Sequence, residues 1–297
     1  MNRRIVIGTW SMSGDWGPID LNEIIDVLEK AYYEYGFEEF DTAPNYGNGF
    51  SEFLLGKIFY NEKNILINTK VGSKPFCGKA FDLDWIKLSI EQSLYRLNRD
   101  SINVLFLHNP RNEITDYDKI LALLYQYKSQ GTIKKIGLSC AKGFDYSNYV
   151  ELSAFDYIQD DINLLALSSL NKEQDLYYYA RSPLANGILG GDINMHTTFP
   201  DSDHRSTWLK GKRLHSILKR VKELENVCEN GIADLALRFL IHNPNIYKVI
   251  FGIRKINHLI NIVELLKTQP LDDDKIFKIH ELFKNDYGLI DEKILSY

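Results

Sequence analysis

Cysteine is scarce in this chain of 297 residues. Its three copies, Cys77, Cys140 and Cys228, cannot all pair with one another and show no CxxC spacing, which excludes a disulfide scaffold. A reduced, cytoplasmic setting is the expectation. No apolar run approaches about 18 residues, so a membrane-spanning helix is not expected. The opening MNRRIVIGTW turns at once into a strand-like run and leaves no room for a signal peptide. Basic residues are not in excess: 35 Lys and Arg stand against 40 Asp and Glu, a net charge of −5. Nucleic acid, which needs a basic face, is disfavoured as a partner, although one phosphorylated small molecule needs only a few local donors. Linkers rich in Pro, Ser or Gly are missing, and a chain of this size buries roughly three quarters of its unfolded surface. One domain spanning residues 1–297 is expected.

What is present is alternation. Short apolar runs, each closing on a polar residue or Gly, occur at Arg4–Thr9, Glu38–Asp41, Ile65–Lys70, Asn103–His108, Ile133–Ser139, Phe155–Gln159, Leu176–Arg181 and Tyr247–Gly252. Segments with apolar residues at helical spacing lie between them, including Leu21–Tyr35, Leu83–Leu97, Tyr117–Gln130 and Ala233–His242. Asp20, Ser51, Asp82 and Asp116 stand where helix N-caps would. Such alternation predicts an α/β fold with parallel strands, either an open doubly wound sheet or a closed (β/α)8 barrel. The open sheet lacks its GxGxxG fingerprint after the first strand. Polar residues recurring at strand ends (Asp41, Lys70, His108, Ser139, Gln159) favour the barrel, whose chemistry gathers at the C-terminal mouth.

Asp41, Tyr46, Lys70 and His108 would sit at neighbouring points of that mouth: a carboxylate, a phenol, an ammonium and an imidazole. No nucleophilic Ser or Cys and no metal-ligand spacing is needed to account for them. The set suits proton donation to an oxygen. A phenol is a weak acid near neutrality. A lysine cation about 4 Å away would stabilise phenolate by roughly 4 kcal/mol at an effective dielectric of 20, at most about three pKa units. Asp41 would hold Lys70 charged while cancelling part of its field, and His108 could orient a carbonyl oxygen or help carry the proton.

The run FDTAPNYGNGFSEFLLG resembles the segment of aldo-keto reductases that carries their catalytic Asp and Tyr, INTKVG their catalytic-Lys strand and NVLFLHNP their catalytic-His strand. The likeness covers nearly the whole chain and resembles the bacterial sugar-handling branches. It implies a single TIM barrel in which Asp41, Tyr46, Lys70 and His108 are catalytic and Tyr46 is the general acid. It also implies a nicotinamide cofactor held by Ser139, Gln159, Arg181, Ser182, Leu184, Gly187, Gly252, Arg254 and His258. Arg254, on a helix N-terminal turn, favours NADP (NADPH) over NAD because guanidinium and backbone donors both attract a 2′-phosphate. The substrate implied is a small-molecule carbonyl, an aldehyde or ketone of a sugar or nucleotide-sugar, lined by Trp10, Trp16, Phe76 and Asn109.

Several positions depart from the family pattern. Cys140 stands where Asn is common, Arg181 replaces an aromatic that stacks on nicotinamide, and Asn261 and Ile262 replace a Glu-Asn pair. The usual N-terminal hairpin is missing, and the interval from Asn163 to Ser182 is short enough to predict a trimmed sixth helix. A cofactor-binding redox sensor that regulates a protein partner is the rival reading, and a metal-dependent barrel would need more ligands than His108 and Asp41. His196, His204 and His215 are expected at the surface.

Overall fold

Ten strands are present in the computed structural model, which describes residues 2–74, 78–110, 114, 116–141, 146, 151–171 and 176–289. They are β1 (Ile5–Gly8), β2 (Glu39–Asp41), β3 (Leu66–Val71), β4 (Ser73–Lys74), β5 (Gly78–Lys79), β6 (Ile102–His108), β7 (Ile133–Ser139), β8 (Tyr157–Asp161), β9 (Tyr178–Arg181) and β10 (Ile246–Gly252). Eight of them close into a barrel in the order β1-β10-β9-β8-β7-β6-β3-β2, every neighbouring pair parallel. Closure removes the open-sheet alternative. The short strands β4 and β5 form a separate antiparallel hairpin that the sequence pattern did not predict.

Strand periodicity sorts the core into two parts. Val6, Val104, Phe106, Tyr179 and Ile250 form one buried cluster, drawn from one side of β1, β6, β9 and β10. The alternate residues, such as Ile5, Ile7, Leu105, Leu107 and Val249, belong to the larger cluster shared with the helices. The first cluster fills the barrel, and the second seals its outside. Below the interior apolar layer, Glu39 accepts hydrogen bonds from Tyr179 Oη (2.9 Å) and Asn68 Nδ2 (2.8 Å) and pairs with Lys248 Nζ (2.7 Å). A buried carboxylate is tolerable there because its lone pairs are satisfied.

The outer layer comprises α1 (Leu21–Glu29), α2 (Phe50–Ile58), α3 (Leu83–Leu97), α4 (Tyr117–Ser129), α5 (Gly211–Glu225), α6 (Ile232–His242), α7 (Ile256–Leu265) and α8 (Asp273–Lys284). Asp20 and Asp82 cap α1 and α3 as expected, accepting from Asn22 and Glu23 and from Trp85 backbone N–H groups. Two expected caps differ. Asp116 makes no capping bond and pairs with Lys119 Nζ instead (2.8 Å). Ser51 lies inside α2, whose N-cap is Gly49. Between β8 and β9 only a 3-10 turn, Ser168–Asn171, is present among the described residues, in keeping with a trimmed sixth helix. No helix among them is long and apolar enough to cross a membrane.

Close packing of α2 on α3 depends on Gly56. A Cβ there would lie 2.3 Å from Arg96 O and 2.7 Å from Leu97 C. Those are backbone atoms and cannot rotate away, so Gly56→Ala is expected to destabilise the fold by about 3 kcal/mol, the upper end for overpacking. A urea-denaturation midpoint unchanged from wild type would show that the helices can separate at little cost.

Candidate active site at the barrel mouth

The inward row of each strand continues past the apolar layer and ends on a site residue. Two residues beyond Val6, Phe106, Tyr179 and Ile250 come Gly8, His108, Arg181 and Gly252, and the registers Gly8↔Gly252, His108↔Ser139, Ser139↔Gln159 and Asp161↔Arg181 join them side by side. Period-two alternation thus delivers the polar residues predicted from sequence to one end of the barrel.

Asp41, Lys70 and His108 are buried at 3%, 0% and 4% exposure. Lys70 Nζ donates to Asp41 Oδ1 (2.5 Å) and to the Thr42 carbonyl (2.9 Å), and sits 4.9 Å from the Tyr46 ring centroid. The Tyr46 and His108 rings meet edge to face at 6.3 Å. Sequence reasoning therefore singled out four residues that lie together at the mouth. It misjudged the net effect on the phenol. Burial pushes Tyr46 above the ordinary tyrosine value; Lys70 pulls it back, Asp41 opposes Lys70, and Arg181 adds a second downward pull. Desolvation outweighs the lysine field, a balance that residue order cannot reveal. Burial also pulls the Lys70 ammonium down, but Asp41 and Tyr46 carry it above its ordinary value. His108 is held well below 6.5, first by burial and then by the fields of Lys79, Lys70 and Arg181, so its ring is neutral near pH 7.

Ser139 on β7 and Gln159 on β8 are wired into this group. Ser139 Oγ donates to Gln159 Oε1 (2.9 Å), and Gln159 Nε2 donates to Asp41 Oδ2 (2.8 Å). Asn109, expected on a substrate wall, lies beside Ser139 and Arg181, its amide nitrogen best directed at Cys140 O (2.9 Å). Asn109 has a left-handed φ of 48°, which turns it back towards β7. Arg181 pairs with Asp161 (3.3 Å) and donates to the Cys140 carbonyl. Burial works against its charge, but Asp161 and Asp160 hold the guanidinium above its ordinary value. Sequence reading missed these two aspartates.

Further round the mouth, Ser182 Oγ donates to Asp161 Oδ1 (2.8 Å), and Leu184 precedes a 3-10 turn that contains Gly187 at φ 89°. Gly252 is exposed beside Ser11, where an added Cβ would sit 3.4 Å from Ser11 Oγ. Arg254 lies just before α7. Its guanidinium donates to Trp16 O (2.7 Å) and Pro18 O (2.6 Å), and its backbone N–H points at His258 Nδ1 (3.4 Å). Exposed Gly252, the donors and acceptors of Ser139 and Gln159, and the cationic start of α7 offer groups whose chemistry suits a nicotinamide dinucleotide.

Trp10 and Trp16 lie on the β1 loop, whose Trp16 carbonyl accepts from Arg254. Trp10 stacks on Tyr46 (6.2 Å, 24°) and meets Trp16 edge-on at 5.2 Å. His204 packs 4.3 Å from Trp16 and 5.0 Å from Trp10, its side chain 26% exposed. The expected surface position is corrected for His204, because segment 199–205 folds over the β1 loop through a Trp16–Asp203 bridge. His196 and His215 are exposed as expected. Phe76 lies outside the described residues.

Comparison with known proteins agrees with this architecture. An aldo-keto reductase of Bacillus subtilis, YhdN, is 26% identical over 294 residues, covering 88% of this chain and 84% of its own. The NADH-specific methylglyoxal reductase of Escherichia coli is 24% identical over 280 residues, covering 84% and 85%. A solved glycerol dehydrogenase from Gluconobacter oxydans superposes with a TM-score of 0.79 at 23% identity, covering 99% of this chain and 95% of its own. Residues 4–284 match the model of the aldo/keto reductase family, and the chain belongs to that family of nicotinamide-dependent oxidoreductases.

Proposed function

We propose that this protein reduces an aldehyde or ketone with NADPH, Tyr46 acting as the general acid. The observation that carries the reading is the buried Asp41–Lys70 pair set against the Tyr46 ring and beside a neutral His108. Reduced nicotinamide, when bound, supplies the hydride. As the carbonyl oxygen gains charge, Tyr46 gives it a proton, and the phenolate left behind faces the Lys70 ammonium. Asp41 keeps that ammonium charged and fixed. His108 helps orient the oxygen by a hydrogen bond. Ser139, Gln159 and Arg181 would hold the nicotinamide end. Ser182, Leu184 and Gly187 would bind the pyrophosphate and nearby sugar, and Gly252, Arg254 and His258 the adenosine end.

The choice of NADPH rests on Arg254, which uses two of its five N–H donors on the β1 loop, and on Lys255 and the first turn of α7 next to it. Together they form a place for a 2′-phosphate. The E. coli relative, by contrast, is an NADH-specific methylglyoxal reductase. The substrate is proposed to be a small polyhydroxylated carbonyl, a sugar or nucleotide-sugar, whose C–H faces would lie on Trp10 and Trp16. Three cysteines with no CxxC spacing suit a cytoplasmic setting.

Fluorescence titration with NADPH and NADH, then loss of cofactor absorbance with a panel of aldehydes and keto-sugars, tests the proposal. Tight NADPH binding with carbonyl-dependent oxidation is expected; binding of neither cofactor would overturn it. A second expectation concerns charge. The Arg181 cation at the nicotinamide end should disfavour the oxidised, cationic ring, so NADPH should bind severalfold more tightly than NADP⁺. Equal dissociation constants would remove that role for Arg181.

A further inference from the structure

The hairpin that interrupts the alternation after β3 carries two groups with no part in the chemistry described above. Gly72, at φ 98°, turns the chain out of β3 and has no room for a side chain: an added Cβ would lie 2.2 Å from the Phe81 ring. Ser73 follows at once, 7% exposed, its carbonyl held by Trp85 Nε1 (3.2 Å). In the β4–β5 register Ser73 is directly opposite Lys79, and cross-strand partners in that position share a face. Lys79 Nζ donates to Ser73 Oγ (3.0 Å), and Ser73 Oγ lies 3.4 Å from His108 Nδ1. A continuous path therefore runs from an ammonium on the hairpin to the imidazole at the end of β6.

We propose that Ser73 and Lys79 are positioning residues that fix His108 in the Nε2–H tautomer, presenting its donor to the substrate oxygen. An ammonium can only donate, so Lys79 occupies one lone pair of Ser73 Oγ. The hydroxyl proton then needs an acceptor, and His108 Nδ1 is the one within reach among the described residues. If Nδ1 carried the proton instead, Ser73 would receive two donors and its own O–H would be left without an acceptor in a buried place, a costly arrangement. With Nδ1 accepting, the ring proton is on Nε2. That atom makes no hydrogen bond among the described residues. Lys79 has a second effect. It acts on the imidazole from the hairpin, as Lys70 does from β3 and Arg181 from β9, with the Tyr46 ring edge-on at 6.3 Å; the three cations together oppose imidazolium. A neutral ring with a defined tautomer is a hydrogen-bond donor of fixed direction, which a freely rotating or protonated ring would not be.

This inference rests on the proposed carbonyl reduction, but its tautomer and titration readouts do not. In protein labelled with 15N-histidine, long-range 1H–15N spectra report the tautomer of each of the seven histidines, and His108→Gln identifies the relevant signals. The wild type is expected to show His108 protonated at Nε2. Ser73→Ala should give a mixture of tautomers and a roughly tenfold lower kcat with little change in cofactor affinity, and Ser73→Thr should restore both. Lys79→Met should move the His108 titration upward, towards 6.5, whereas Lys79→Arg should not. An Nδ1–H ring in the wild type would overturn the proposal. So would a Ser73→Ala variant, folded by circular dichroism, with unchanged tautomer and kcat. Should Ser73→Ala fail to fold, the wild-type tautomer and the Lys79→Met titration decide the matter. A wild type that reduces no carbonyl would count against the proposed function alone, because the tautomer is read without turnover.

Discussion

Tyr46→Phe is expected to lower carbonyl reduction by about 10²- to 10⁴-fold, the usual contribution of a positioned general acid. Fold and cofactor affinity should survive. The substitution removes one oxygen and keeps the ring, so the stacking on Trp10 (6.2 Å) and the approach of Lys70 (4.9 Å) have no reason to change. Lys70 would still donate to Asp41 and to the Thr42 carbonyl, leaving neither oxygen unpaired. Pre-steady-state turnover with NADPH and the best carbonyl measures the effect. Retained wild-type turnover would dismiss Tyr46 as the acid, and a matching loss of NADPH affinity would reassign it to cofactor binding. The directions of the pKa shifts add a second check. With Tyr46 raised above 10 and His108 lowered below 6.5, the phenol stays protonated and the imidazole neutral across neutral pH. The reduction rate should therefore be flat from about pH 7 to 9; a limb titrating inside that window would point to a different acid.

Much of this site could be read from sequence because strand ends in a parallel barrel share one mouth. Asp41, Lys70, His108, Ser139 and Gln159 each close an apolar run, so their order along the chain gives their order around the barrel. Helix α3, with a capping Asp82 and fifteen residues, was equally legible. What escaped lacked a pattern. Strands β4 and β5 have two residues each, too few for alternation to register, and so Ser73 and Lys79 went unnoticed. Asp161 belongs to β8, two residues past the predicted end of its run, and its contact with Arg181 spans two strands. His204 was misplaced because nothing in its own neighbourhood announces the loop it packs against. The net shift on Tyr46 was misjudged for a different reason: burial is a property of the assembled mouth, and no residue spacing encodes its magnitude.

Lys70→Met should destabilise the fold by about 3–5 kcal/mol, because it leaves the Asp41 carboxylate buried with its cation removed. Asp41 is 3% exposed and Lys70 0%. Without Lys70, Oδ1 loses its partner at 2.5 Å, and only Gln159 Nε2 remains to donate to Oδ2. One neutral donor cannot replace water around a charge. The reciprocal change, Asp41→Asn, strands the Lys70 ammonium between the Thr42 carbonyl and the Tyr46 ring and should also destabilise. Combining them removes both charges, so Asp41→Asn/Lys70→Met should be more stable than the sum of the single losses predicts, with a coupling of about 1–3 kcal/mol. Urea denaturation of the four proteins measures it; strict additivity would mean that the pair does not act as a unit. Turnover should follow a different rule. Removing the carboxylate restores burial without charge, but nothing replaces the cation that faces the phenol. If the double variant recovers stability while its kcat stays near that of Lys70→Met, then holding the fold and stabilising the phenolate are separable tasks of one buried lysine. Recovery of both together would assign Lys70 a structural role alone.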